Sequence, residues 1–217
     1  MEERLTLVSR GMQAVMAAVV VAGVATNNTA WVPAAALSLV VSEVPSLLKR
    51  DLHLVLPIEM NLWLVLALFL HVIGGVSGFY DNLPGWDHLT HAMSSSFIAA
   101  LGSVVVVALD KYVDSIYLPR FFVAFFIVMF TMAVGVSWEL MEYLVDEITG
   151  SYMQYSLADT MLDLLFDSFA GFIVAAFGAY YLRRGSRDRF VESFQFDEAK
   201  DRIEAVVTRS KGQTEEQ

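Results

Sequence analysis

The chain contains no cysteine, which rules out disulfides and thiolate metal sites. Charge is scarce as well: 18% of its 217 residues are charged and 56% hydrophobic, with a mean hydropathy of +0.55, too apolar for a soluble domain of this size. Basic side chains are missing from one long stretch, since no Lys or Arg stands between Arg120 and Arg183. A phosphate-binding glycine loop, a nucleophile elbow, a low-complexity tract and a repeat of fixed period are also missing. With a net charge of -10 at pH 7, no nucleic-acid partner is expected.

What remains is a series of apolar runs near the roughly 20 residues that a membrane-spanning helix needs. Six can be read. The first runs from Leu5 to Ala25 and the second from Trp31 to Leu48, with Pro33 in its opening turn, where a missing N–H does no harm. Glu43 and Pro45 make the second the weakest. The third, Ile58 to Phe79, carries His71 and the small residues Gly74, Gly75 and Gly78, which suit close helix approach. Leu89 to Leu109, Pro119 to Val145 and Leu157 to Leu182 complete the set. The N-terminal MEERLTLVSRG leads into a run with no cleavage site ahead of the next loop, so it reads as a first span. The expected fold is all-α, a polytopic helical bundle of about six transmembrane helices in a cell membrane, with its partner the lipid bilayer. Residues 1–182 form the transmembrane domain.

With six spans, all fourteen basic residues fall on one side of the membrane, so both termini are expected to be cytoplasmic. Residues 183–217 are a basic, then acidic, cytoplasmic tail. Arg183, Arg184, Arg187 and Arg189 suit anionic head groups, and Phe190, Phe194, Ile203, Val206 and Val207 could line a short amphipathic surface helix. Trp86 and Trp138 read as interface anchors, and the FFVAFFIVMF run as a lipid face.

Asp159, Asp163 and Asp167 recur every four residues in the last span and form one stripe on a helix. A carboxylate inside a membrane helix costs about 2.5–3.5 kcal/mol on insertion scales, so such a stripe needs partners, a shared proton or a cation. Asp87 and His91 stand four apart at the start of the fourth span, with His88 beside them. Glu139 and Glu142 share a face at the end of the fifth. By the topology above, all three clusters lie at the extracytoplasmic end, and His71 at a similar depth. Oxygen donors with an imidazole suit a divalent ion such as Mg, Mn, Zn or Ca. The candidate metal ligands are Asp87, His91, Glu139, Glu142, Asp159 and Asp163, with His71, His88 and Asp167 secondary and Glu142 or Asp163 as candidate catalytic bases.

The order Asp87xxxHis91, then TrpGlu139xxGlu142Tyr, then Asp159ThrxxAsp163 resembles YjdF-type inner-membrane proteins, whose pattern runs YDxxxHFxxG, YELxEW, WDTQxDMxxxxxG; more distantly it is similar to the VanZ-like family. The resemblance covers residues 78–180. It departs where Ala92 replaces Phe, Ser95 replaces Gly, and Leu157 and Ala158 precede Asp159. It implies a six-helix fold with a shared acidic site and no particular reaction.

Three function classes fit these residues. A metal-dependent hydrolase or transferase would act on a lipid or envelope substrate. A cation or proton transporter would need polar groups through the inner half of the membrane as well, yet VVVVAL, FFVAFFIVMF and FIVAAFGAYY are almost wholly apolar. A non-enzymatic envelope assembly or resistance factor would carry a structural metal with no cavity beside it.

Overall fold

The computed structural model describes residues 1–27, 31–112, 118–150, 153–182 and 192–202. Its named elements are all helices: α1 (Glu2–Ala25), α2 (Trp31–Leu52), α3 (Ile58–Ser77), α4 (Phe79–Asn82), α5 (Trp86–Tyr112), α6 (Arg120–Thr149) and α7 (Leu157–Leu182). Six of them are long and apolar enough to cross a membrane. The protein is thus a multi-pass helical membrane protein, and the apolar runs mark its spans. The single turn α4 is the departure: it follows directly on the third span, whose hydropathy extends through Phe79 and hides the break. Gly78 makes the break by adopting φ 65°, a left-handed conformation that glycine reaches without a Cβ penalty.

Two compact units divide the chain inside α3. One comprises Met1–Val72 with the described part of the tail, the other lies within Ile73–Arg187. In the first, α1 and α2 form an antiparallel hairpin, since Gln13 Nε2 reaches the Ser42 carbonyl and hydroxyl at 3.2 and 3.1 Å while Arg10, one turn earlier, pairs with Glu43, one residue later, at 2.5 Å. Glu43 therefore sits in an apolar span because a neighbouring helix supplies its counter-charge. Helix α2 continues through Pro45 to Leu52. In the tail, the Phe194 carbonyl accepts the Val55 N–H at 3.1 Å and the Phe194 ring is buried. Backbone 196–202 is helical. Of the expected apolar stripe only Phe194 is among the described residues; Phe190, Ile203, Val206, Val207 and the Arg183, Arg184, Arg187 and Arg189 cluster lie outside them.

In the second unit α5, α6 and α7 all pack on one another. Their directions follow from which side chains meet. Gly102 of α5 faces Phe130 of α6 while His91 faces Glu139, so α5 and α6 are antiparallel. Gly171 faces Thr131 and Gly135 faces Asp167, so α6 and α7 are antiparallel too. The start of α5, the end of α6 and the start of α7 consequently share one end. At Gly102 and Gly171 the absence of a side chain lets helices approach where the membrane offers no hydrophobic drive for packing. Below that end the core is apolar, with Phe97, Val104, Val107, Ile127, Ala170 and Ala175 buried. Phe121, Phe125, Phe169 and Phe177 face outward, as a lipid surface requires.

The helix ends are locally specified. Gly150 closes α6 at φ 69° with its N–H on the Asp146 carbonyl at 2.8 Å. The Asp146 carboxylate accepts the N–H groups of Met153 and Gln154, which folds the α6–α7 loop back over the helix end. Ser156 caps α7 by accepting the Asp159 N–H at 3.2 Å.

Candidate metal centre

The α5–α7 arrangement gathers the polar residues around His91, which is 9% exposed. Its Nε2 lies 3.6 Å from Asp87 Oδ1, one turn before it, and 3.8 Å from Glu139 Oε1 on α6. Its Nδ1 lies 3.2 Å from Asp167 Oδ1 on α7, which also accepts the Ser95 hydroxyl at 2.6 Å. With the proton on Nδ1, the imidazole donates to Asp167 and turns the Nε2 lone pair toward Asp87 and Glu139. This is the arrangement in which an outer carboxylate orients a metal-binding histidine.

Asp87, His91 and Asp163 each offer a donor atom within 4.8 Å of the others. Asp163, 3% exposed, is held at Oδ1 by His88 Nδ1 at 2.9 Å, and the His88 ring stacks on Phe166 at 4.8 Å and 8°. Glu139 is buried, with Oε2 3.3 Å from Gln154 Nε2; Oε1 has no hydrogen-bond partner. A buried carboxylate oxygen left in that state costs on the order of 1–3 kcal/mol, more when charged, so it marks a place where a cation or proton belongs.

The remaining expected residues are placed as follows. Glu142 is half-buried and accepts the Trp138 indole N–H at 2.8 Å, which gives Trp138 a partner within the helix. Asp159 is half-buried and lies outside the close group, on the wall of an adjoining cavity. His71 sits half-buried on α3 in the first unit. Asp167, read as secondary, is the innermost of its stripe and joins two α5 side chains. Sequence reasoning missed Ser95, Gln154 and Gly135. Ser95 was visible in principle, four residues after His91 on the same face, at the position where the resembling pattern carries glycine.

The cavity, about 350 Å³, lies beside Asp87 and is lined also by Tyr80, Trp86, His88, Tyr155 and Asp159. The Tyr155 hydroxyl donates to Asp81 at 2.9 Å; burial first, then that bond, pushes its phenol up to about 12. Burial likewise holds the Tyr80 phenol above its usual value, against the Thr90 hydroxyl at 3.4 Å. Trp86 stands over Gly74, where any Cβ would collide with the indole.

A model of the family described as Predicted membrane protein (DUF2238) matches residues 8–184. The chain belongs to this family. The DUF2238 match takes in the first two spans as well as the charged segment between residues 78 and 180. An uncharacterized protein of Thermotoga maritima is 31% identical over 125 residues, 57% of this chain. The aligned region spans 63% of that relative's length. No solved structure matches the chain.

Proposed function

We propose that the α5–α7 end holds a divalent cation between Asp87, His91 and Asp163, with Glu139 as a further oxygen donor, and that the ion serves hydrolysis or group transfer on a lipid or envelope molecule reached from the extracytoplasmic side. The observation that carries this is the pair of gaps at His91 Nε2, 3.6 Å to Asp87 and 3.8 Å to Glu139. Both are too long for a hydrogen bond. Two ligands at about 2.0–2.2 Å from a tetrahedral ion stand roughly 3.3–3.6 Å apart, so the Asp87 gap suits atoms that share a centre and the Glu139 gap is slightly wider. One imidazole among carboxylates fits Mn or Zn better than Mg or Ca. Charge points the same way, because these acids have no Lys or Arg between Arg120 and Arg183 to balance them.

The ion would activate a water and polarise an ester or phosphoryl oxygen. Asp163 would act as a ligand steadied by His88, and Glu142, the next acid along α6, would take the proton of that water. With the ion bound, the water oxygen would go to the acyl carbon or phosphorus, and the proton held by Glu142 would be returned to the leaving oxygen. The cavity beside Asp87 supports turnover over a purely structural metal. A transport path is disfavoured because deeper hydroxyls are spent on their own helices: Ser103 donates to the Ala99 carbonyl and Thr131 to the Ile127 carbonyl. The similarity to YjdF-type proteins rests on the same charged residues and adds no reaction.

Elemental analysis of the purified chain tests the reading. One equivalent of Mn or Zn per chain is expected, lost in His91→Ala and retained in His71→Ala. Metal-free protein whose unfolding ignores chelator and added metal would refute it.

A further inference from the structure

The cavity beside Asp87 has a lining that selects by charge. Asp81, Asp87 and Asp159 contribute carboxylates; Tyr80, Trp86 and Tyr155 contribute rings; no Lys or Arg is among its walls. None lies near in sequence either, since basic residues are missing from Arg50 to Lys111 and again from Arg120 to Arg183. An anionic group placed there would be desolvated against carboxylates with no Lys or Arg to meet it, and the imidazole on the wall, His88, is already paired with Asp163. A cation would meet acids and ring faces together, the combination that recognises ammonium groups. Size agrees: about 350 Å³ falls at the small end of ligand pockets, roughly 300–1,000 Å³, and exceeds what a bare ion needs. Behind the Asp87 wall, Glu139 is 5% exposed and its Oε1 lacks a hydrogen-bond partner, so the interior asks for positive charge beyond the cavity as well. A single divalent ion balances only two of the carboxylates gathered at this end.

We infer that this cavity takes an ammonium-bearing group of head-group size, primary or quaternary. Asp81 and Asp159 balance its charge, and the aromatic rings pack against its methyl or methylene groups. The inference deepens the cation-site reading, on which it rests for one feature only, the placement of the reacting bond toward Asp87 and His91. An ester or phosphoryl oxygen would then face the metal while the ammonium end lies outward. The same chemistry occurs as a lipid head group and as a free small cation.

The test uses the full chain in phosphatidylglycerol nanodiscs, titrated calorimetrically with choline chloride, ethanolamine and inorganic phosphate, with and without chelator. Saturable choline or ethanolamine binding is expected, phosphate binding is not, and Asp81→Asn/Asp159→Asn should bind roughly tenfold more weakly, as when a desolvated cation loses its acidic partners. Asp159→Glu should restore binding and shows that the variants fold. Competition from phosphatidylethanolamine in the disc would support the inference and assign the cation to a lipid; ammonium binding without such competition would support it and assign the cation to solution. Ammonium binding that survives chelator supports the cavity independently of the metal reading, which fails only if the purified chain is metal-free and its unfolding ignores added metal. Phosphate binding in preference to choline, or choline binding undiminished in the double Asn variant, overturns the inference even if metal still stabilises the chain.

Discussion

Gly135 of α6 lies against the Asp167 carboxylate of α7 so closely that a Cβ at 135 would collide with Oδ2. That oxygen is buried without a hydrogen-bond partner, while Oδ1 of the same group serves both Ser95 and His91. The glycine is thus the space in which the carboxylate that orients His91 is stored. Gly135→Ala sets two effects against each other. Helix propensity favours Ala by about 1 kcal/mol, whereas overpacking against a fixed neighbour costs about 1–3 kcal/mol. Because Asp167 is 1% exposed and tied on its other side, overpacking should win. The variant should unfold at lower temperature in detergent and hold less metal. A midpoint at or above wild type would show that Asp167 has room to move.

Length and hydropathy made the six spans legible, because a bilayer fixes both, and i, i+4 spacing made the faces of α5 and α7 legible. Pairing across helices was not. Spacing places Asp87 beside His91, yet it cannot say that His88 meets Asp163, or that Asp167 lies behind His91, because those contacts depend on how α5 and α7 are rotated against each other. Glu43 looked like a blemish in the second span for the same reason: its partner Arg10 is 33 residues away. The role of Asp146 was hidden differently, since its carboxylate folds a loop through backbone N–H groups that leave no mark on side-chain patterning.

The Tyr155–Asp81 contact joins the α6–α7 loop to α4 and carries a pH dependence. Burial and the donated bond raise the Tyr155 phenol from 10.0 to about 12. A group raised on folding contributes its stability in full below the unfolded value and loses it as pH climbs through the folded one. The contact should therefore hold up to about pH 10 and weaken between there and about pH 12. Tyrosinate absorbance during alkaline titration should show late-titrating phenols, Tyr80 and Tyr155 among them, with one fewer in Tyr155→Phe. An unchanged titration curve in that variant would contradict the assignment.

Orientation rests on basic residues alone and is open to a direct test, because the chain has no cysteine to interfere. Both termini should be cytoplasmic, with the α4–α5 turn and the α6–α7 loop outside. Asn82→Cys and Gln154→Cys should then react with a membrane-impermeant maleimide on intact cells, and a cysteine at Lys49 should react only after lysis. Reaction at Lys49 but not at Asn82 or Gln154 would invert the protein and move the site to the cytoplasmic face.

Asp163→Asn separates a bound cation from carboxylates that merely share protons. Asn keeps an oxygen able to accept from His88 Nδ1, which stands 2.9 Å away, so the substitution removes charge and leaves the hydrogen bond. If a divalent ion binds, loss of one ligand should lower the unfolding midpoint and abolish the response to added metal. A ligand present at 100 times its Kd stabilises the folded state by about 2.7 kcal/mol, which sets the scale of what disappears. If the acids instead share protons, Asn imitates a protonated carboxyl and relieves repulsion from Asp87 and Asp159, so the midpoint should stay or rise. The signs are opposite. Thermal unfolding of wild type and variant, each with chelator and with Mg, Mn, Zn or Ca, decides between them, and a wild-type midpoint raised by Mn or Zn alone would also identify the ion.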